Sequence, residues 1–434
     1  MRFFMKHNLA PILGAQFFSS LADNALLIAA IALLTSLQAP DWMTPLLRLF
    51  FTFSYIALAA WVGILADMWP KGHVMFFSNA LKIAGCLMLL LGCHPLLSYA
   101  VVGAGAAAYS PAKYGILAEI LPPEKLVVAN GWMEGLTVVS IILGVVFGGL
   151  LVDPSVGALI QTFFSGSLFG DLTIAEAAII VVTLVYVLAA LFNLTIADTG
   201  ARYPNARFSP IQNVLTFART CKVIFQDPIA ITSLSVTTLF WGTGAVLQFL
   251  VLRWAEEKLH MPLSQGAMLQ AIVSVGIAFG AVLAARYVPM KKAFHVLWTG
   301  IAMGLMVAAL CAFRQEFFTG SLSIFGLDLQ NSVIFSCLIM IAIGTLAGLF
   351  LVPMNAVFQN RGHTLLSSGQ AVAVQNLAEN TVILSMLGVY SLLVRFHLSV
   401  NGSMLLFGLF FAFGIWLIIR HHARHQRKEL STLN

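Results

Sequence analysis

Long runs of apolar residues, separated by short polar breaks, dominate the pattern of this sequence. The runs are continuous rather than alternating, and most approach the ~20 residues that an α-helix needs to cross a bilayer. Because lipid offers the backbone no hydrogen-bond partner, only helices or closed barrels cross it, and unbroken apolar runs favour helices. The pattern predicts twelve spanning helices, near residues 9–36, 46–67, 74–93, 96–113, 129–152, 172–197, 229–252, 265–288, 293–312, 332–357, 369–394 and 401–420.

The composition agrees with a membrane protein rather than a soluble domain. Of the residues, 60% are hydrophobic and 9% are charged, whereas soluble domains carry about 25% charged residues. The net charge of +6 is interpreted as topological, and no nucleic-acid partner is expected. The five cysteines show no paired spacing, so neither a disulfide framework nor a metal site is predicted. The first apolar run reaches about Leu37, which is too long for the core of a cleaved signal peptide.

The longest polar break before the tail separates two predicted halves. This break, residues 198–228, contains Pro204 and Pro210 together with four basic residues. We predict an N-terminal six-helix bundle at 1–197, a cytoplasmic linker at 198–228, and a C-terminal six-helix bundle with a basic tail at 229–434. Weak sequence similarities between spans six apart support two parallel pseudo-repeats.

The placement of Lys and Arg predicts the orientation of the chain. If the N-terminus is cytoplasmic, the termini and the loops after even-numbered spans hold 17 of the 23 Lys and Arg residues. The opposite loops hold 5, and Lys82 lies within a span. Since Lys and Arg are enriched in cytoplasmic loops, both termini are predicted to be cytoplasmic. The residues counted as cytoplasmic are Arg2, Lys6, Lys71, Lys113, Lys125, Arg202, Arg207, Arg219, Lys222, Arg286, Lys291, Lys292, Arg361, Arg420, Arg424, Arg427 and Lys428.

A short motif follows the second span, with Gly63, Asp67 and Lys71 at intervals of four residues. It resembles the loop signature of the major facilitator superfamily. Glycine allows two helices to approach closely, and the carboxylate can accept hydrogen bonds from a helix N-terminus while pairing with a base. We interpret these three residues as a cytoplasmic latch, and the alternative is an ordinary short loop.

Ionisable residues inside the predicted spans are the next signal. Each costs ~2.5 kcal/mol or more in hydrocarbon, so it normally faces a cavity or a partner. Asp23 in span one and Glu379 in span eleven are predicted on a transport path, with an interhelical pair as the alternative. Lys113 follows Pro111, which is expected to break its helix, and it has the same two interpretations. For Lys82 and for Glu134 of span five, a structural pair is favoured.

Known catalytic signatures are not found in this sequence. The phosphate-binding pattern G-x4-G-K-[ST] and the zinc pattern H-E-x-x-H do not occur, so neither ATP hydrolysis nor zinc chemistry is predicted. Gly103 and Gly105 lie within span four, where they permit close helix packing rather than nucleotide binding. We expect no enzymatic activity, no cofactor and no metal.

Four blocks of the sequence resemble the bacterial lysophospholipid transporter family of the major facilitator superfamily. They are SLADNALL in span one, VGAGAAAYSPAKYGILAE at 102–119, LFWGTGAVLQFL at 239–250, and VPMNAVFQNRG followed by SGQAVAVQNLAEN within 352–380. The resemblance implies an all-α membrane protein that moves lysophospholipids from the outer to the inner leaflet of the inner membrane. It also implies a separate acyltransferase/acyl-carrier-protein synthetase that re-acylates them, as well as contact with membrane lipids.

The resemblance also implies functional positions. Asp23, Lys113 and Glu379 match acidic, basic and acidic residues of the family, and Asn24 and Asn380 adjoin two of them. Two positions differ from the family pattern. Gln248 stands where the family has arginine, and Asn360 stands where it has glutamate; Arg253 is considered as a replacement for the missing base. We expect these eight residues to line the substrate path or to control its gates.

Two rival functions stay open at this point. One is a proton-coupled transporter of drugs or other amphiphiles within the same superfamily, in which Asp23 and Glu379 would be proton sites. The other is a membrane scaffold that transports nothing and docks a lipid-remodelling enzyme. Transport of labelled lysolipid by the pure protein separates the scaffold from a transporter, and dependence on a proton gradient separates the two transporters.

Overall fold

The computed structural model describes residues 9–40, 43–164, 172–201, 203, 209–261, 263–318, 320–324 and 327–433. Within these residues nearly all regular structure is helical. The helices are α1 Leu9–Ser36, α2 Met43–Met68, α3 Lys71–Leu90, α4 Pro95–Ile120, α5 Pro123–Leu151, α6 Pro154–Phe164, α7 Ile174–Leu194, α8 Pro210–Gln226, α9 Pro228–Leu259, α10 Leu263–Tyr287, α11 Leu297–Ala309, α12 Asn331–Leu365, α13 Ser368–Arg395 and α14 Val400–Leu433.

Each of the twelve predicted apolar segments forms a helix. Among the described residues, eleven helices are long and apolar enough to cross a membrane. The segment predicted at 293–312 is composite, because α11 is flanked by the 3-10 helices Met290–Val296 and Leu310–Ala312. The twelfth, α4, has 26 residues, but its glycine, serine and tyrosine residues and Lys113 lower its mean hydropathy.

The structure corrects one prediction and adds elements that the apolar pattern did not indicate. Pro111 lies inside α4, which continues to Ile120, so the expected break of the helix at this proline is wrong. In membrane helices, neighbouring groups can satisfy the backbone that a proline frees. The additions are helix α6, helix α8 within the predicted linker, and an antiparallel hairpin of strands β1 Ser321–Ile324 and β2 Leu327–Gln330.

Local side-chain chemistry explains where some of the helices begin. Thr173 precedes α7 and forms a capping box with Glu176, in which each side chain accepts from the backbone N–H of the other residue. Asp227 precedes α9, and its carboxylate accepts from the N–H groups of Ile229 and Ala230. Such caps satisfy N–H groups that have no partner within the helix.

The chain divides into two compact units. Unit one is Met1–Pro122, Val139–Ile224 and Gly362–Leu377, and unit two is Pro123–Val138, Phe225–Arg361 and Ala378–Asn434. Each unit has its own apolar core: Leu26, Ala29 and Tyr186 lie in that of unit one, and Trp254, Phe350 and Phe411 in that of unit two. The predicted halves with boundaries at 197 and 228 stay a prediction.

Small residues allow the helices of unit one to pack closely. A Cβ atom added at Gly103 would lie 2.7 Å from the Phe51 backbone, and one at Gly105 would lie 2.6 Å from the Ser78 carbonyl oxygen. The packing role predicted for these two glycines is therefore confirmed.

Of the basic residues used to predict orientation, Arg2, Lys6, Arg202 and Arg207 lie outside the described residues, and the side chains of Arg427 and Lys428 are not described.

Candidate functional site

An ion pair joins two spanning helices within unit one. Asp23 lies midway along α1 and Lys82 lies in α3. The Lys82 Nζ atom is 2.7 Å from Asp23 Oδ1 and 2.9 Å from Asp23 Oδ2. The structural pair favoured for Lys82 is thus present, and its partner is the residue predicted on the transport path.

Polar and aromatic side chains surround this pair. The Tyr186 hydroxyl donates to Asp23 Oδ1 at 2.7 Å. Lys82 also donates to the Ser19 hydroxyl at 3.0 Å, and Ser19 in turn donates to Asn79 Oδ1 at 2.9 Å. The Lys82 ammonium lies 5.2 Å and 5.4 Å from the ring centroids of Tyr109 and Tyr186. These contacts satisfy a cation that is almost fully buried.

The two members of the pair differ in accessibility. Lys82 is 1% exposed, whereas the Asp23 side chain is 25% exposed. In addition, the Nδ2 atom of Asn79 and the hydroxyl of Tyr109 are buried without a hydrogen-bond partner, although buried polar atoms are normally paired. The cluster therefore presents one accessible carboxylate beside polar groups with unused hydrogen-bonding capacity.

The predicted latch residues form a second buried cluster in unit one. Lys71 Nζ is 2.8 Å from Asp67 Oδ1 and 3.2 Å from Glu119 Oε1, and it donates to the Ala66 carbonyl at 2.7 Å. The three charged side chains are nearly inaccessible. An uncompensated carboxylate buried this deeply would be costly, so Lys71 shared between two carboxylates stabilises both.

The start of α13 completes the surroundings of Asp67. The backbone N–H of Gly369 donates to Asp67 Oδ1 at 3.1 Å, and the Ser367 hydroxyl donates to Asp67 Oδ2. A carboxylate at a helix N-terminus is stabilised by the free N–H groups and the helix dipole. A Cβ atom at Gly63 would lie 2.9 Å from the Gln370 Cα atom, so glycine is what allows this approach. The latch role itself stays a prediction.

The segment after α7 also reaches the latch cluster. The Thr199 hydroxyl donates to Glu119 Oε2 at 2.7 Å, and the Tyr203 hydroxyl donates to Glu119 Oε1 at 3.0 Å. The Lys71 ammonium lies 5.2 Å from the Tyr203 ring centroid. Burial and the neighbouring Glu119 charge raise the pKa of Tyr203 well above its ordinary value. This hydroxyl therefore stays neutral and remains a donor throughout the physiological range.

Unit two contains a polar contact between α5 and α12. Asn130 and Gln359 exchange two amide hydrogen bonds, at 2.9 Å and 2.8 Å. One helical turn further along, Asn355 Nδ2 lies 3.5 Å from Glu134 Oε1. All four side chains are buried. Glu134 thus takes part in an interhelical contact, which agrees with the structural interpretation favoured for it.

A second ion pair in unit two joins the ends of two helices. Arg361, near the end of α12, donates to Asp227, the cap of α9, with distances of 2.6 to 3.1 Å. Burial by itself would raise the pKa of Asp227. Hydrogen bonds from Arg361 and the Ala230 N–H, together with the Arg361 charge, outweigh burial and hold that pKa below its ordinary value.

The other predicted site residues lie on several helices. In unit one, the Lys113 ammonium is 4.1 Å from the Tyr114 ring centroid, and the side chain is 8% exposed. Asn24 Nδ2 donates to the Ser20 carbonyl at 2.8 Å, one turn earlier in α1. In unit two, Glu379 and Asn380 are half-buried in α13.

The positions that differ from the family pattern belong to unit two. The Gln248 carbonyl accepts from the Gln270 side chain, and Asn360 is half-buried. Arg253 lies 3.6 Å from Glu257 on the exposed surface of α9. Residues five apart are separated by about 140° around a helix, so Arg253 and Gln248 point in different directions. This geometry does not favour Arg253 as the replacement for the missing base. The role of Arg253 on the substrate path stays a prediction.

The sequence did not indicate which residues surround Asp23 and Asp67. In the sequence, Tyr186 and Tyr109 resemble ordinary aromatic residues of apolar helices. Glu119 resembles an ordinary polar residue that follows an apolar run. The available signal was the presence of one acid and one base, Asp23 and Lys82, within the first and third spans.

Within the described residues, no group of three or more His, Cys, Asp or Glu side chains is placed to hold a metal ion.

Comparison with known proteins defines the class of this protein. The model of the Major Facilitator Superfamily matches residues 12–381. The chain therefore belongs to the Major Facilitator Superfamily. It is 41% identical over 392 residues to the lysophospholipid transporter LplT of Yersinia pestis strain Pestoides F, a match that covers 90% of this chain and 88% of the relative. The same values hold for LplT of Yersinia pseudotuberculosis serotype O:3 strain YPIII. The resemblance inferred from the four sequence blocks is confirmed.

Solved structures of the superfamily share the fold at low sequence identity. The human organic anion transporter MFSD10 has a TM-score of 0.69 at 13% identity, and the alignment covers 95% of this chain and 99% of that one. A bacterial homologue of the iron transporter ferroportin, in an outward-facing state, has a TM-score of 0.66 at 13% identity, with 95% and 98% covered. These similarities confirm the predicted all-α fold of the superfamily.

Proposed function

We propose that this protein transports lysophospholipids, including lysophosphatidylethanolamine, from the outer to the inner leaflet of the bacterial inner membrane. The observation that carries the proposal is the 41% identity, over 90% of the chain, to the LplT transporters. Both termini would face the cytoplasm, where a separate acyltransferase/acyl-carrier-protein synthetase would re-acylate the cargo. We assign no catalytic step to this chain.

The chemistry of the cargo fits a protein with few polar groups in its spans. A single acyl chain gains ~0.8 kcal/mol per buried CH₂ group, so a long tail gains on the order of 10 kcal/mol from an apolar environment. A tail that stays in lipid or against apolar side chains keeps that free energy. Only the head group then needs polar contacts, and a few ionisable residues in the spans suffice.

The Asp23 and Lys82 pair would contact the head group. Phosphoethanolamine carries a cationic ammonium and an anionic phosphate, which complement the two charges of the pair. Since Asp23 is the accessible member, its carboxylate would meet the ammonium first. When no cargo is bound, Lys82 would hold the Asp23 carboxylate in place through the two hydrogen bonds between them.

The remaining predicted residues complete the proposed path. Transport would follow alternating access between two six-helix halves, with Asp67 and its partners Lys71 and Gly63 acting as the cytoplasmic latch. The other residues proposed to line the path or its gates are Asn24, Lys113, Gln248, Arg253, Asn360, Glu379 and Asn380.

Transport by the pure protein in proteoliposomes tests this proposal. Labelled lysophosphatidylethanolamine should change leaflet faster than in empty vesicles, and the flux should persist when a proton gradient is collapsed. Asp23→Asn should lower the flux per folded protein, whereas Glu256→Gln at an exposed position should not. A flux equal to that of empty vesicles would support the scaffold, and flux that requires a proton gradient would support the drug–proton transporter.

A further inference from the structure

Helix α8 has two apolar faces, and only one of them contacts the protein. On the inward face, Phe217 packs against an apolar cluster that includes Val62 of α2 and Ala373 of α13. Ile224 and Thr220 are also buried on this face, with exposed fractions of 0% and 3%. A surface helix surrounded by water normally has one such face and is polar elsewhere.

The second apolar face points away from the protein. Its exposed side chains include Ile211, Leu215 and Phe225, which are 78%, 57% and 52% exposed. Together with Val214 and Ala218, they cover a sector of about 100° around the helix at 100° per residue. This stripe adjoins the inward face on one side and exposed polar residues on the other. Its size and continuity mean that something covers it in the cell.

The position of α8 identifies a bilayer as the occupant. One residue, Asp227, separates α8 from the first residue of the spanning helix α9. At its other end, the Trp61 indole N–H of α2 donates to the Pro210 carbonyl at 3.2 Å. In between, Thr220 donates to Gln370 at 3.0 Å, two residues after the start of α13. Contacts with α2 and with the start of α13 thus hold α8 within unit one, and the chain enters a spanning helix directly after it. Tryptophan is enriched where spanning helices meet the membrane surface, which agrees with an interfacial position for α8.

The charge of α8 indicates which lipids it contacts. The sequence PIQNVLTFARTCKVIFQ contains Arg219 and Lys222 and no acidic residue. Both bases are exposed. At 100° per residue, Arg219 lies just beyond the polar edge of the apolar stripe, whereas Lys222 lies within the stripe between Ile211 and Leu215. A long basic side chain can bury its methylene groups among apolar groups while its charge reaches the head groups, so this arrangement is typical of a helix that lies in the membrane interface and binds anionic lipids.

We propose that α8 lies in the surface of the membrane, with the Ile211–Phe225 stripe inserted among acyl chains and with Arg219 and Lys222 bound to anionic phospholipid head groups. In the orientation proposed above, this surface is the cytoplasmic leaflet. The proposal requires that the chain spans a membrane, and it does not depend on which cargo is carried. It gives the connection between the two predicted halves a lipid-binding role.

Photo-crosslinking of the full-length protein tests the location of the stripe. The photoreactive residue p-benzoylphenylalanine would replace Leu215 in one variant and Thr216, the next residue on the polar side, in another. The variants are compared in nanodiscs of phosphatidylcholine with phosphatidylglycerol as the minority lipid, and in native membrane vesicles. We expect phospholipid adducts from position 215 and few from position 216. Adducts from position 215 to a second copy or to another protein, or equal lipid yields at both positions, would overturn the proposal.

The lipid class of the adducts tests the role of the two bases. In the position-215 variant, phosphatidylglycerol should be enriched in the adducts over its share of the nanodisc, by up to roughly fivefold for each base. Adding R219Q and K222Q should abolish that enrichment while the adducts themselves persist. The matched pair K291Q and K292Q removes the same charge outside α8 and should leave the enrichment unchanged. Enrichment that survives R219Q/K222Q would contradict the head-group contacts, and equal melting temperatures would show that the variants are folded.

Discussion

Asp23 and Lys82 are 59 residues apart in sequence, yet the ammonium of Lys82 lies within hydrogen-bond distance of both carboxylate oxygens of Asp23. Neither charge would be stable alone among apolar side chains. As a pair they compensate each other, and the Tyr186 and Ser19 hydroxyls satisfy further hydrogen bonds. The same arrangement that makes the two charges tolerable also places a partly accessible carboxylate inside the transporter.

Removing one member of this pair should destabilise the protein more than removing both. Lys82→Met leaves the Asp23 carboxylate without its cation, and we expect the free energy of unfolding to fall by about 3 kcal/mol. In the double variant with Asp23→Asn, most of that loss should be recovered, while lysolipid flux should stay low. Thermal unfolding in detergent and flux in proteoliposomes check the two parts. Lys291→Met, at an exposed position, is the control and should alter neither.

Asp67→Asn should weaken the latch cluster but should not leave the Lys71 ammonium without a carboxylate partner. Lys71 keeps Glu119 at 3.2 Å, so we expect a loss of about 1–3 kcal/mol, which is less than for a fully uncompensated charge. Gly369 and Ser367 donate to different oxygens of Asp67, and an amide has only one acceptor oxygen, so the variant keeps at most one of these two hydrogen bonds. Thermal unfolding and flux measure the effect. Glu124→Gln, at an exposed position in the first turn of α5, should change stability by less than about 1 kcal/mol, and a loss of equal size there would contradict the prediction.

Gly63→Ala should disturb the contact between α2 and the start of α13. The added methyl group would lie 2.9 Å from the Gln370 Cα atom and 3.0 Å from the Gly369 carbonyl oxygen. Because these backbone atoms can move aside only if the helix moves, we expect the free energy of unfolding to fall by about 1–3 kcal/mol. Gly388→Ala is the matched control, since a Cβ atom there meets nothing within 4 Å. It should be neutral or stabilise α13 by up to about 1 kcal/mol. Equal melting temperatures for the two variants would contradict the close approach at Gly63.

The Asp227 ion pair predicts a dependence of stability on acid pH. Because the pKa of Asp227 is lowered in the folded protein, its contribution is fully present above the ordinary value of about 3.9 and is lost as the pH falls through the folded value. Asp227→Asn should lower stability at neutral pH by up to about 1 kcal/mol, since water screens the partly exposed Arg361. The difference from the parent protein should shrink below about pH 4.

A second substitution at the same position separates the cap from the ion pair. Asp227→Ala also removes the oxygen that accepts from Ile229 and Ala230, which should cost about 1 kcal/mol beyond Asp227→Asn. This extra loss should not vary with pH, because the cap does not require Arg361. Melting temperatures of both variants across the acid range check the prediction. Equal losses for Asn and Ala would contradict the capping role.

The sequence predicted the helices well because hydrophobicity is a local property. Each predicted span contains a helix, although α9 and α12 extend about two turns beyond their predicted ends. In those regions polar residues such as Glu256 and Gln359 follow the apolar run, and the predicted boundary was drawn where apolarity ended. Helix α8 was missed because its apolar residues are interleaved with polar ones, so they form a stripe rather than a run.

The sequence by itself determined that this chain crosses a membrane as a bundle of helices and to which family it belongs, because both follow from local composition and from short blocks of residues. It also identified Asp23 and Asp67, since a carboxylate in or beside an apolar run is conspicuous. Only the tertiary structure decided that Lys82 and Tyr186 meet Asp23, and that Ser367 and Glu119 belong to the Asp67 cluster. Those contacts join residues far apart in the chain, and their distances depend on how the helices pack, which no local pattern specifies.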